Sequence, residues 1–405
     1  MNGKKPGGLL RIVSSIFIAG ILAFLAASGV VTLAKEPVFA SYFENRNLAA
    51  LPEYSEAGIL DGSWFKGVNT YLQEHAAGRN TILRAQTLLD LRLLHRPVVN
   101  EVVVKDDVLL GWQDFWIYDR GDLQSQAEIT ADRIAAHARA AEAYGGRYYY
   151  VAVPTQALAF PEEYPPYLQS HEDFYLDAAA FLSEALEERE VSFLDMREEL
   201  SRKGILRDVS SRIDNHFSIE GALETSRCLL TQIRADTGWD PGILGEDDCR
   251  IEYLPNHYMG SRTRKLFDLW PSDEKLGIVI TGTEPPFSRR DTADWLNAPR
   301  ESHSVFELPD TPDELISYGL YMGGDWGSTV IETSRPELPS ILIYGDSFTN
   351  PVECLLWQGF DTTYSFDFRH YSEETVDELI AGYQPDIVVC IRDFETLLKN
   401  DANGK

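Results

Sequence analysis

The sequence predicts a three-layer α/β fold, a parallel sheet covered by helices on both faces, preceded by one membrane-length apolar helix. Three observations lead there. Ile12 to Ala34 carries no charged residue. From Glu128 onward, short apolar runs alternate with amphipathic runs of helix length, the pattern of a parallel sheet with crossover helices. Gly345-Asp346-Ser347-Phe348 directly follows one such apolar run and puts a serine at the carboxyl end of a strand, where ligands bind in these sheets.

Taken in order, Ile12 to Ala34 is long enough to cross the ~30 Å apolar core of a bilayer as a helix. Lys4, Lys5 and Arg11 precede it, and positive charge stays cytoplasmic, so the remainder is expected on the extracellular side of the cell membrane. A cleaved signal peptide is the alternative; its apolar core is usually shorter, and Thr32-Leu33-Ala34 is a poor cleavage site. The expected organisation is a tip and anchor over residues 1–34, a linker and helices over 35–99, and the α/β domain over 100–405. Pro37, Pro52 and Gly58 mark the linker. Trp64, Phe65, Val68, Tyr71 and Leu72 repeat at helical spacing, as do Ile82, Leu83, Leu88, Leu91 and Leu94. Val98 to Leu110 reads as a hairpin turning at Asp106-Asp107.

In the α/β part, Ile129 to Tyr144 is helical and stopped by Gly145-Gly146. Tyr148 to Val153 is a buried strand ended by Pro154, 174–188 a helix and 191–196 a strand. Ser218 is placed to cap a helix running to Ile233. Residues 238–312, rich in Pro, Gly and charge, yield no order of elements. Ser340 to Tyr344 is a strand and 352–357 a helix; strands over 364–368 and 386–391 flank a helix over 373–381.

The chain has 64 acidic and 36 basic residues, a formal net charge of -28, which argues against nucleic acid as a partner and against an anionic lipid surface under the domain. Of the four cysteines, none forms a CxxC pair; a Cys228–Cys249 disulfide stays open. No HExxH, P-loop or metal-ligand cluster stands out, so no metal or cofactor is expected.

Ser347, on a strand-to-helix turn, is held out from the sheet beside backbone N–H groups that can stabilise the oxyanion of acyl transfer. An ordinary βα loop would look the same, so the serine needs a base, and the base needs an orienting partner. Asp214-Asn215-His216-Phe217 supplies both just ahead of a helix. Among the eight histidines, His216 is the one with an acidic residue two positions earlier in such a turn.

Asp-x-His ahead of Gly-Asp-Ser-Phe resembles the DHHW family and the related alginate O-acetylation proteins, SGNH-like hydrolases with the Asp/His pair before the serine, a permuted order. Glu44-Asn45-Arg46, Val153-Pro154-Thr155, Met322-Gly323-Gly324-Asp325 and Asp367-Phe368-Arg369 match in the same order. The resemblance implies Ser347 as nucleophile, His216 as base and Asp214 as its orienter. It also implies an O-acetyl transferase or esterase acting on a cell-surface polysaccharide, with a membrane-bound acyltransferase as donor partner. A non-catalytic surface protein that binds glycan or assembles an export complex is the alternative. Asn215 and Phe217 stand where relatives often carry His and Trp, and Asp325 stands where an oxyanion-hole Asn is expected. A carboxylate there would oppose catalysis unless it points away or is paired. Gly323 and Gly324 are candidate oxyanion-turn residues. Arg369, beside His370, is a candidate partner for Asp346, Asp214 or an acidic substrate group. Thr155 and Gln156 are candidate site-lining residues, and Trp326 a candidate sugar-stacking face.

Overall fold

The computed structural model describes residues 8–36, 38–44, 46–113, 120–168, 170–245, 247–282 and 284–399. Lys4, Lys5, Pro37 and Asn45, used in the sequence reading, lie outside the described residues. The chain divides into two compact units, one of residues 1–100 with 264–269, the other of 101–263 with 270–405.

In the smaller unit, Gly8–Ala34 is one helix whose side chains from Ile12 to Leu22 are exposed. Its length and composition would let it cross a membrane, a test that a signal sequence also passes. Helices Ser63–His75 and Arg79–Arg92 follow. Glu44 accepts from Arg79 at 2.5 and 2.9 Å, and Arg46 bridges Glu44 and Glu74.

The larger unit is built on one eight-stranded sheet. Its strands are β1 (Arg147–Val153), β2 (Ser192–Asp195), β3 (Ser288–Thr292), β4 (Arg300–Ser302), β5 (Ser328–Glu332), β6 (Ile341–Gly345), β7 (Thr362–Phe366) and β8 (Ile387–Asp393). They lie in the order β4-β3-β5-β7-β6-β8-β1-β2. The five strands from β7 to β2 run parallel, and β6 and β8 are buried along their length, which is why they read as unbroken apolar runs. The other three continue the sheet antiparallel beyond β7. Two of them, β3 and β4, come from the stretch the sequence could not order, because Arg289, Arg290 and Asp291 break any apolar pattern. Arg289 and Asp291 are nevertheless buried, as an ion pair at 2.8 Å.

The helices α1 (Leu123–Ala143), α2 (Glu172–Glu187) and α5 (Val376–Tyr383) pack together, as do α3 (Ile219–Thr237) and α4 (Thr349–Leu356), and the two groups cover the sheet. Ala-rich α1 lies close on the sheet because its inner face is mostly small, with Ala127, Ala131, Ala135 and Ala141 buried. Ser218 does occupy the N-cap position of α3, but its hydroxyl donates to the Val209 carbonyl at 3.1 Å instead of capping. The four cysteines are free thiols, so Cys228 and Cys249 are not bonded to each other.

Candidate active site

The turn after β6 is shaped by Gly345. A Cβ there would collide with the Ile391 carbonyl of β8 and come within 2.9 Å of Thr349 Cγ2, so the backbone can pass only without a side chain. The next three residues are tied locally. Asp346 Oδ1 accepts from Phe348 N at 3.0 Å, and the Asp346 carbonyl accepts from Thr349 N at 2.9 Å, which starts α4. Ser347 is left half-buried at the tip, its N–H unused by these turn bonds.

Its hydroxyl lies 2.8 Å from His216 Nε2. His216 Nδ1 lies 2.6 Å from Asp214 Oδ1. A carboxylate only accepts, so Nδ1 carries the proton and Nε2 is the acceptor for the serine O–H. Asp214 is buried and its second oxygen accepts from Ser261 N at 2.6 Å. Burial alone would raise its pKa, but the His216 ring and its hydrogen bond, with the N–H groups of Ser261 and His216, hold it at about 2. The carboxylate therefore stays ionised throughout the physiological range. The imidazole is stacked on Tyr318, with centroids 3.6 Å apart and planes 8° from parallel, and it also meets Phe348, whose ring centroid lies 4.7 Å away. Ring plane and tautomer are both set by neighbours.

Beneath the Asp214–His216 turn sits Glu274. Its carboxylate accepts from Ser211 Oγ at 2.5 Å and from Arg212 N at 2.8 Å, while Ser211 Oγ accepts from the N–H groups of Ile213 and Asp214. Burial pushes the Glu274 carboxyl from an ordinary 4.5 up to about 7, against the pull of Ser211 and Arg212. A raised carboxyl favours the folded state when protonated, so its contribution is complete below about 4.5 and lost as pH rises through about 7. Wild type should therefore lose stability relative to Glu274→Gln between about pH 5 and about pH 8. Urea midpoints of the two proteins at both pH values check this; a difference independent of pH contradicts it.

The remaining candidates divide into those gathered near the serine and those standing apart. Gly323 and Gly324 form a turn with φ of 75° and 110°, a conformation open to glycine, and deliver Asp325. Asp325 accepts from Asn350 Nδ2 at 2.8 Å, on α4 just past Ser347, and pairs with Arg369 at 3.2 Å. Arg369 also binds Asp367, at 2.5 Å, so it holds neither Asp346 nor Asp214. Asp346 is instead met by buried Arg392, at 3.3 Å, because β8 lies directly beside β6. Next to it, Asp393 is pushed up to about 8, first by burial and then by Asp346. Asp325, Asp367 and His370 bring potential ligand atoms within 4.8 Å of one another, but the guanidinium of Arg369 already occupies both carboxylates.

Trp326 donates its indole N–H to Met322 O at 2.7 Å and stacks on exposed Trp295, with Arg300 5.1 Å from its ring. Thr155 is buried at the end of β1, and among the described residues its hydroxyl has no hydrogen-bond partner, so it does not bond the Ser347–His216–Asp214 set. Gln156 supports that set from behind, its amide donating to Ser211 O at 3.1 Å. Ser261, Tyr318, Glu274 and Asn350 escaped the sequence reading. Three of them lie in or next to the segment without periodicity, and none carries a local signature.

The chain matches no family model and no curated protein. Solved structures do match. Bacillus cereus PatB1 aligns with a TM-score of 0.61 at 17% identity, over 73% of this chain and 96% of PatB1. PatB1 with a sulfonyl adduct aligns at 0.61 and 16%, over 73% and 95%. A DHHW family protein from Eubacterium siraeum aligns at 0.53 and 17%, over 75% and 93%. At such identities the likeness speaks for architecture alone, and on that footing this chain has the α/β fold of PatB1 and the Eubacterium siraeum DHHW family protein.

Proposed function

We propose that the chain is a serine-dependent acyl-transfer enzyme, an O-acetyl transferase or esterase, working on a polysaccharide at the outer cell surface. The observation that carries this is the chain of short contacts from Ser347 Oγ through His216 to Asp214, 2.8 and 2.6 Å. In this arrangement His216 Nε2 takes the serine proton as Oγ attacks an ester carbonyl, and ionised Asp214 stabilises the imidazolium that forms. The Ser347 N–H, unused by the turn, is suited to the oxyanion. The apolar N-terminal helix, uncleaved, would anchor the domain outside with its basic tip inside, and a membrane-bound acyltransferase could then load the acyl donor at that surface. The stack of exposed Trp295 on half-buried Trp326 supports a carbohydrate partner, since sugar rings pack on such faces.

An unpaired carboxylate at Asp325 would oppose catalysis and so favour the non-catalytic glycan-binding alternative. Asp325 is tied to Asn350 and to Arg369, which it shares with Asp367, and this pairing supports the catalytic reading over that alternative. Asp325→Asn should therefore leave hydrolysis of p-nitrophenyl acetate within about tenfold of wild type, or lower it. A rise of tenfold or more would mean that the carboxylate faces the reaction.

One PatB1 structure carries a sulfonyl adduct, which makes a sulfonyl fluoride a fitting probe. Full-length protein treated with phenylmethanesulfonyl fluoride should be modified on Ser347, mapped by peptide mass spectrometry, and His216→Gln should slow the labelling. Labelling that avoids Ser347, or ignores His216, rejects the proposal.

A further inference from the structure

Asn215 lies between the orienter and the base, and among the described residues its side chain meets only the base. Its backbone N–H is secured on Ser261 Oγ at 3.1 Å, so the residue's position does not depend on its carboxamide. That carboxamide is half-buried, and its Nδ2 lies 3.3 Å from His216 Nε2. In the neutral ring Nε2 has one lone pair, and the Ser347 hydroxyl at 2.8 Å takes it. Among the described residues the amide has no other hydrogen-bond contact. A donor group therefore stands beside Nε2 without being consumed by it.

The space next to Nε2 has a defined chemical use. Once Ser347 carries an acyl group, the proton that Nε2 must remove belongs to the incoming hydroxyl, whether water or a sugar. That oxygen has to sit within hydrogen-bond reach of Nε2 and within attacking distance of the acyl carbon. A carboxamide N–H at this distance from Nε2 can donate to the same oxygen, leaving its O–H free to point at Nε2.

We infer that Asn215 positions the incoming hydroxyl for deacylation, which makes it the residue governing how the acyl group leaves Ser347. The inference rests on the acyl-transfer reading above. In the step, the hydroxyl oxygen bonds to the acyl carbon as its proton passes to His216 Nε2. The Oγ–acyl bond then breaks and Nε2 returns that proton to Ser347 Oγ, so free serine and a new ester, or the free acid, result. The acceptor is an alcohol or water, the class to which sugar hydroxyls belong. Acylation by an activated ester has less need of Asn215, because p-nitrophenolate departs without being protonated.

The test compares full-length wild type, Asn215→Leu and Asn215→His with p-nitrophenyl acetate. Release of p-nitrophenol gives the burst and the steady state, and intact mass gives the fraction of enzyme carrying one acetyl group. Asn215→Leu, of similar size but without a donor, should keep the burst while its steady-state turnover falls about tenfold or more, with acetyl-enzyme accumulating. Asn215→His, which can donate again, should recover much of the turnover. Methanol as added acceptor should show the same loss in transfer to the alcohol.

Equal slowing of burst and steady state would overturn the inference, since a general disturbance of the site does that. Unchanged or faster turnover of Asn215→Leu would overturn it as well. If wild type is never acetylated on Ser347, the acyl-transfer reading itself fails and this inference with it. Acetylation of Ser347 with indifferent Asn215 variants defeats the inference alone.

Discussion

Ser347→Ala is expected to lower turnover of p-nitrophenyl acetate by about 10⁴-fold or more, with the fold intact. The loss is large because oxygen, base and orienter act as one unit: without Oγ, His216 has nothing to deprotonate, and neither hydroxyl nor carboxylate substitutes for the other. The stability effect should stay within ~0.5 kcal/mol, because a half-buried hydroxyl is exchanged for hydrogen and the turn is held by Asp346 and Gly345. His216 differs in this respect. Its ring is buried against Tyr318 and Phe348. Truncation to alanine would open a cavity there, so His216→Gln is the cleaner variant, with the same loss of turnover expected. Initial rates with circular dichroism and thermal melts decide the matter. Retention of a tenth of wild-type activity by Ser347→Ala would refute the assignment.

Asp291→Ala is expected to destabilise the larger unit by about 3–5 kcal/mol, more than any substitution at the active-site surface. Arg289 and Asp291 have fully buried side chains in β3. Arg289 donates to the carbonyls of Ser304 and Met322, and Asp291 also accepts from Thr329 Oγ1 at 2.8 Å. Removing the carboxylate strands a guanidinium in the interior, and that desolvated charge, rather than the lost attraction, sets the cost. The consequence reaches the site, because Met322 leads into Gly323-Gly324-Asp325 and its carbonyl also receives the Trp326 indole. Replacing both partners together, Arg289→Met with Asp291→Leu, should restore much of the stability, because no unpaired charge remains. Urea unfolding measures both. A cost below about 1 kcal/mol for Asp291→Ala would show that the cation is not held in a dry interior.

The two residues central to the proposal, Ser347 and His216, announced themselves locally. Glycine, a small polar residue and serine directly after an apolar run can hardly be read other than as a strand-to-helix turn, since the close approach to β8 at Gly345 tolerates no side chain. Asp214 and His216 stand two positions apart because one tight turn can bring both to the same hydrogen bond, the backbone N–H of His216 also meeting Asp214 Oδ1 at 3.2 Å. The parallel strands were legible for a related reason: burial on both faces removes polar residues, and length then separates strand from helix.

The antiparallel edge was not legible. Its strand β3 alternates exposed and buried residues as a strand should, but two of the buried ones are Arg289 and Asp291, which no apolar pattern can reveal. Asp325 taught the same lesson at the site. Sequence could say only that a carboxylate stood where a donor was expected; the sign of its effect depended on Arg369, 44 residues further along the chain.

By itself, then, the amino-acid order determined the element types along the parallel sheet, the apolar N-terminal helix and the pairing of Asp214 with His216, all of which follow from periodicity and turn chemistry within a few residues. Only the tertiary structure decided that Ser347, 131 residues from His216, lies within hydrogen-bond reach of it, that Ser261 holds the Asp214 carboxylate and Tyr318 the plane of the imidazole, and that Asp325 is paired with Arg369. Those outcomes depend on which segments meet in space, and a through-space contact between side chains that are distant in sequence leaves no periodic trace in a single chain.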